Sequence, residues 1–495
     1  MKYQLSLLLC CLLALAFLCF PDVSIHWVST ITQMALERFD LLYVIIMSLI
    51  LVLAVGLAFS SKGRIRLGGA EAKPEFNRAG WISMVIAAGM GSGLIFWSVA
   101  EPLYHFNQQP SFIALSQSPS TALALTYFHW GAHAWGLYAL TGLVFAWYAF
   151  NCNRPMLISS AFSSRTTQQR FFVLDFVALV AVIFGVAGTL ANTVALIQTG
   201  VSSLLPSIAL GEMFRAGLLI VMAVIFIASS ILGLKRGIQR LSIFNIAFAL
   251  LLMLFVALWS GVIPLMTTLF ESTWEYLRLL PRLSFGVESH SNWSRDWSVI
   301  YFLWWMCWAP FVGPFIARIS YGRTIREFLL VVMLIPTGFT ILWFSLFTCG
   351  IFNDSTILSV TQAVVQNNYT QGLFTYFTYY PFSFAFSIGA ILLLMTFVIT
   401  SADSALYVAA LFMGRFGTCA FKVKLIWGIV LVSIAMGLVA RNNVDLNKQV
   451  AIIGAIPFSI IMVVYFLTFL KDLLRYKPSS EEAKGLAKPE IIIKG

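Results

Sequence analysis

Residues 301–328 read YFLWWMCWAPFVGPFIARISYGRTIREF. The stretch opens apolar and is long enough to cross a bilayer. Trp304, Trp305 and Trp308 lie near its middle, away from the interfacial depth where tryptophan collects. Pro310 and Pro314 each lack an amide hydrogen, Gly313 lies between them, and the stretch closes on Arg318, Arg323 and Arg326. This pattern predicts a crossing helix interrupted at mid-depth. Interrupted backbone is tolerated in a bilayer only where it is buried in protein or faces a polar cavity. The interruption is therefore expected to form half of a binding site for a small cation.

The rest of the chain is of the same apolar character. Of 495 residues 60% are hydrophobic and only 10% charged, with a mean hydropathy of +0.89. That excludes a soluble protein with a hydrated surface and predicts an all-α polytopic membrane protein. Apolar segments fall at 4–20, 41–60, 80–100, 121–150, 171–200, 215–233, 241–262, 297–317, 327–350, 380–413, 425–440 and 449–470, which predicts twelve transmembrane helices. An even number of crossings puts both termini on one side. Lys and Arg in alternate connections number 24 on the side of the termini and 7 on the other, so both termini are expected in the cytoplasm, with the protein in the cytoplasmic (inner) membrane. The net charge of +11 is thus assigned to topology and not to nucleic acid. The first segment has no small-residue cleavage site before Pro21 and is expected to be a retained helix. Seven cysteines form no CxxC and no His/Cys cluster, and read as small apolar fillers.

A second interruption is expected in GWISMVIAAGMGSGLIFWSVAEPL, residues 80–103, where Gly89, Gly91 and Gly93 alternate with Met90 and Ser92. The two interrupted segments are the third and eighth crossings, and they run in opposite directions. Segments 3–7 and 8–12 then form five-helix units of opposite topology, the pattern of an inverted-repeat secondary transporter with a midplane site. The organisation expected is two N-terminal helices and a loop (1–79), a first repeat (80–262), an amphipathic surface connection (263–296), a second repeat (297–470) and a lysine-rich cytoplasmic tail (471–495).

Residues 126–142, TYFHWGAHAWGLYALTG, place Trp130, Trp135 and Tyr138 within ring reach on one predicted helix. With the tryptophans of the eighth segment they suit a trimethylammonium group, which has no N–H to donate and which ring faces attract by about 0.5–2 kcal/mol per contact. Free amides around Gly91 and Gly93 suit a carboxylate on the same ligand. Neither interruption contains an acidic residue, which favours a zwitterion over a bare cation. In the tenth segment Thr400 and Ser401 offer adjacent hydroxyls for sodium, together with carbonyls around Ala87 and Met90. Thr189 and Thr193 share a helical face and are a candidate for a second ion. Asp403 reads either as a brace or as a functional acid. His129 and His133 lack the HExxH glutamate and read as packing groups, so no enzyme is expected.

These residues resemble the betaine/choline/carnitine transporter family. The resemblance rests on GMGSGLIFWSVAEPLYHF (89–106), FHWGAHAWGLYALTGL (128–143), WWMCWAPFVGPFIARISYGRTIREF (304–328) and TSADSA (400–405), with GLKRGIQRLSIFN (233–245) and IIGAIPF (452–458) beside them. It implies a LeuT-like inverted repeat of five plus five helices preceded by two extra helices, often as a homotrimer. An aromatic box is implied at Trp130, Trp135, Tyr138 and Trp305, with Trp304 and Trp308 on the route or second wall, beside Met90, Gly91 and Gly93. Sodium is implied near Ala87, Met90, Phe397, Thr400 and Ser401, with Phe311 joining Thr189 and Thr193 at the second ion. The chain departs from the family at AGTLANTVALI (187–197), notably at Asn192 and Leu196, and Gly93 stands where choline-preferring members carry aspartate. The expectation is sodium-driven import of a glycine betaine-like zwitterion with no cofactor beyond the coupling ion. Proton-coupled choline or betaine uptake and carnitine-type substrate/product antiport are the alternatives.

Overall fold

The computed structural model describes residues 2–89, 91–110, 113, 118–162, 171–232, 235–286, 291–349, 351–352, 360–361, 364, 368–413 and 420–476. Met90 and residues 477–495 of the tail lie outside the described residues. Among the described residues the regular elements are helices: α1 (Lys2–Cys19), α2 (Pro21–Phe59), α3 (Arg78–Gly89), α4 (Ser92–Asn107), α5 (Pro119–Trp130), α6 (Ala132–Ala146), α7 (Phe172–Leu204), α8 (Glu212–Leu232), α9 (Lys235–Ser260) and α10 (Val262–Phe285). There follow α11 (Asn292–Ile319), α12 (Ile325–Cys349), α13 (Tyr369–Phe377), α14 (Ser383–Met413), α15 (Ala420–Arg441), α16 (Val444–Ile452) and α17 (Ala455–Arg475).

Eight of these are long and apolar enough to cross a membrane, or up to ten when each of two sharply bent pairs counts as one span. The outward faces are what lipid demands: on α8 the side chains of Ile220, Val221, Val224 and Ile225 are exposed, while Leu219, Met222 and Phe226 are buried. Buried and lipid-facing positions differ little in polarity here, so the helices are read by packing and not by an amphipathic stripe.

The eighth segment corrects the reading of its sequence. Residues 292–319 form one span, 94% buried across its most apolar window, with Pro310 and Pro314 inside a continuous helix and only a π turn at Arg295–Val299. Burial on all sides explains the tolerance. Neighbouring helices α6 and α7 pack along α11 and hold its course where proline removes a hydrogen bond. The interruption in the third segment is present: α3 ends at Gly89, α4 begins at Ser92, and the two helices are bent by 66°. A further break divides 121–150 at Gly131, which the sequence reads as one helix. There the chain leaves helical geometry (φ −97°, ψ −128°), and an added Cβ would lie 2.5 Å from the Tyr127 carbonyl oxygen.

Two loops at one end of the bundle join. The Leu67 and Gly322 amides each donate across the gap, to the Arg323 and Leu67 carbonyls at 2.9 Å, Arg66 Nη1 donates to the Gly322 carbonyl at 2.6 Å, and Arg326 Nε reaches the Ala58 carbonyl at 2.8 Å. The basic residues of these loops thus serve as clamps between connections. Helix α10 follows a 106° bend at Gly261 (φ +86°) and buries Leu265, Tyr276, Leu279 and Leu283 while exposing Phe270, Trp274 and Leu277.

Candidate functional site

The break between α3 and α4 opens onto a cavity lined by Gly89, Gly91, Ser92, Gly93, Leu94, Phe96, Trp97, Trp130, Thr189, Asn192, Thr193, Tyr301, Trp304, Trp305 and Trp308. The lining has no Asp, Glu, Lys or Arg. The alternating glycines have a steric cause. An added Cβ on Gly91 would approach the Trp308 ring at 3.3 Å, and one on Gly93 the Trp130 ring at 3.2 Å. On Gly89 it would fall inside the contact distance of the Trp135 ring. Each glycine therefore receives one indole, and the first turn of α4 begins at an uncapped Gly91 facing the cavity. The leading amides of a helix lack intrahelical partners and favour negative charge.

The rings themselves are fixed by polar contacts behind them. Because α5 stops at Trp130, its last carbonyls have no helical donors. Trp305 Nε1 donates to that of His129 at 2.7 Å. Trp130 Nε1 donates to Glu101 Oε2 at 2.7 Å, and Tyr301 Oη donates to the same oxygen at 2.5 Å. The other oxygen stands 2.7 Å from His129 Nδ1, and His129 Nε2 stands 2.9 Å from Ser298 Oγ, both within hydrogen-bond distance. His105 Nε2 stands 3.4 Å from Glu101 Oε1, and its Nδ1 accepts from Trp293 Nε1 at 3.3 Å. Glu101, His105 and His129 are wholly buried. A carboxylate buried beside several donors is a rigid point on which ring orientation depends.

The expected site residues separate into groups. Trp130, Trp304, Trp305, Trp308, Gly91 and Gly93 line the one cavity, and Trp130 and Trp305 meet edge to face at 5.0 Å. Trp135 and Tyr138 do not line it. They stand behind, Tyr138 against Trp305 at 6.2 Å and against Trp135 at 5.6 Å. Thr189 and Thr193 line the cavity, but their hydroxyls are engaged: Thr189 donates to the Gly185 carbonyl at 3.0 Å and Thr193 to the Thr189 carbonyl at 2.8 Å, with Ser92 Oγ 2.7 Å from Thr193 Oγ1. Phe311 packs against Trp308 with ring centroids 5.1 Å apart and the planes tilted by 50°. Thr400 and Ser401 both donate to the Phe397 carbonyl, at 2.8 and 3.0 Å. Ala87 sits on α3 one turn before the bend. Asp403 accepts from Ser229 at 2.7 Å and braces α14 against α8. His133 packs between Ser48 and Ser284 at 3.2 and 3.3 Å, as a packing group.

Sequence reasoning missed Trp97, Tyr301 and Asn192 as lining residues and Glu101 as the support of Trp130 and Tyr301. Glu101 carries a signal, since an acid within an apolar span demands a partner; its hydrogen-bond partners lie 28 to 200 residues away.

Comparison with known proteins decides the family. The model of the betaine/carnitine/choline family transporters matches residues 3–478. The chain belongs to the betaine/carnitine/choline transporter family. A probable glycine betaine transporter of Desulfitobacterium hafniense is 32% identical, covering 92% of this chain and 93% of its own. The glycine betaine transporter OpuD of Bacillus subtilis is 33% identical over 92% and 90%. The osmo-independent choline transporter BetT1 of Acinetobacter baylyi is 30% identical over 92% and 90%. The chain is thus a multi-pass membrane transporter and not an enzyme.

Proposed function

We propose that this betaine/carnitine/choline transporter imports a glycine betaine-like zwitterion across the cytoplasmic membrane, both termini cytoplasmic, by sodium symport with alternating access. One observation carries the reading: a cavity walled by Trp97, Trp130, Tyr301, Trp304, Trp305 and Trp308 with no ionised side chain in its lining. Rings hold the methylated onium, each contact contributing about 0.5–2 kcal/mol, and apolar burial of the methyl groups adds to this. The ligand carboxylate lies against the first amides of α4 at Gly91 to Gly93, where the helix end offers donors without a competing cap. Sodium binds near Ala87, Met90, Phe397, Thr400 and Ser401. Its binding orders the α3–α4 bend, and the bend completes the α4 amide row, so ion and solute stabilise each other. Coupling then follows from linkage, because a ligand that favours one arrangement raises affinity for the other by the same factor. The second ion at Thr189, Thr193 and Phe311 is the weaker part, since both hydroxyls already serve the preceding turn.

Proton coupling is the rival with an observation behind it, the buried Glu101–His129–His105 group adjoining Trp130. Uptake of radiolabelled glycine betaine into proteoliposomes separates the readings. Accumulation that requires an inward sodium gradient supports symport with sodium. Accumulation driven by a proton gradient alone transfers coupling to the buried acid, and uptake that needs only internal substrate establishes exchange. Competition by choline, carnitine and proline betaine ranks the solutes.

A further inference from the structure

Helix α16 touches the cavity lining with two successive residues. Asn447 Nδ2 donates to Asn192 Oδ1 at 2.8 Å, and Asn192 lines the cavity. Lys448 is buried, and its ammonium lies over the rings of Trp297 at 4.6 Å, Trp97 at 5.4 Å and Tyr369 at 5.4 Å. Asp445, one turn earlier, pairs with that ammonium at 2.6 Å. Of the three rings, Trp97 also lines the cavity, so a single indole separates the ammonium from the candidate solute space. Among the described residues Trp97 also meets the rings of Phe96 at 4.7 Å, Tyr369 at 5.2 Å, Trp297 at 5.6 Å and Tyr301 at 6.3 Å.

We propose that Lys448 is a lock on Trp97: its ammonium, seated among Trp97, Trp297 and Tyr369, keeps that ring closed over the cavity. A buried ammonium is costly unless it is paired and surrounded by favourable dipoles. Here the cost is offset by one carboxylate and three ring faces, contributed by α4, α11 and α13. The same contacts therefore tie three elements to α16 only while the charge is in place. When α16 shifts, Lys448 and Asp445 leave together as an ion pair, Asn447 releases Asn192, and Trp97 is free to turn. The lock rests on the proposed transport only for its purpose; its geometry needs no ligand.

The test reads access to the cavity directly. The full chain, with its seven native cysteines replaced and Ser92→Cys introduced as a reporter in the cavity lining, is treated with a trimethylammonium methanethiosulfonate, which forms a mixed disulfide with the reporter thiolate and releases methanesulfinate. Lys448→Met and Lys448→Gln are each expected to raise the rate of this modification at least threefold, and Lys448→Arg, which keeps a cation over the rings, less than threefold. In a Trp97→Leu background the Lys448 variants are expected to react alike. A rise below threefold in both neutral variants overturns the lock, as does an equal rise in Lys448→Arg. So does recovery of Lys448→Arg when neither neutral variant reaches the membrane, which assigns the residue to folding alone. Protection of the reporter thiol by glycine betaine is read separately: its absence counts against the proposed solute and leaves the lock standing.

Discussion

Glu101 shows how one side chain sets the chemistry of a cavity that it does not line. Its two oxygens hold Trp130, Tyr301 and His129, so the ring faces are aimed from behind. Glu101→Gln keeps the shape and removes the charge-assisted acceptor, whose hydrogen bonds are each worth about 1.5–3 kcal/mol. Glycine betaine affinity is expected to fall by about tenfold or more, at ~1.4 kcal/mol per decade, in equilibrium binding to protein that still reaches the membrane; unchanged affinity would release Trp130 from this dependence. Gly89→Ala acts by volume. Its methyl group enters the space of the Trp135 ring, and overpacking of this kind costs about 1–3 kcal/mol. A lower midpoint of thermal unfolding in detergent is expected, and Trp135→Leu in the same chain is expected to restore it.

At the scale of elements, the breaks matter more than the spans. The start of α4 at Gly91 has no side-chain cap, and the stop at Gly131 frees the His129 carbonyl that orients Trp305. Helix α10 supports that stop, because Ala132 N donates to Tyr276 Oη at 3.2 Å. Tyr276→Phe removes one buried hydrogen bond, worth about 1 kcal/mol, and is expected to speed dissociation of bound solute severalfold, measured by filter binding. Thr400→Ala is expected to raise the half-saturating sodium concentration about tenfold, the equivalent of ~1.4 kcal/mol. Unchanged sodium dependence would remove Thr400 from the ion site, its hydroxyl then serving only the Phe397 carbonyl. The glycine-rich gap and the tryptophan cluster were legible in the sequence, because alternating Gly and mid-span Trp contradict an ordinary anchor. The continuous course of α11 through Pro310 and Pro314 was not, since tolerance of proline depends on the neighbours packed around it. The Gly131 break was hidden by an unbroken apolar run, and Trp97 and Tyr301 looked like any buried aromatic until folding placed them beside Trp130.

For the whole molecule, apolar composition, a bent α3–α4 pair and one aromatic cavity belong to a single design. Lipid removes the hydrophobic drive between helices, so close packing and buried hydrogen bonds carry the association. Long-range contacts such as Tyr301 to Glu101 and Asn447 to Asn192 therefore hold the cavity and the fold at once. Conversely, Trp305→Leu leaves those contacts intact and is expected to abolish glycine betaine uptake while the protein remains in the membrane at parental abundance. Transport as proposed depends on the affinity of this cavity for methylated onium. Equilibrium binding of glycine betaine, dimethylglycine, sarcosine and glycine to the purified protein measures that dependence. Affinity is expected to fall with each methyl group removed; glycine bound as tightly as glycine betaine would refute an onium site.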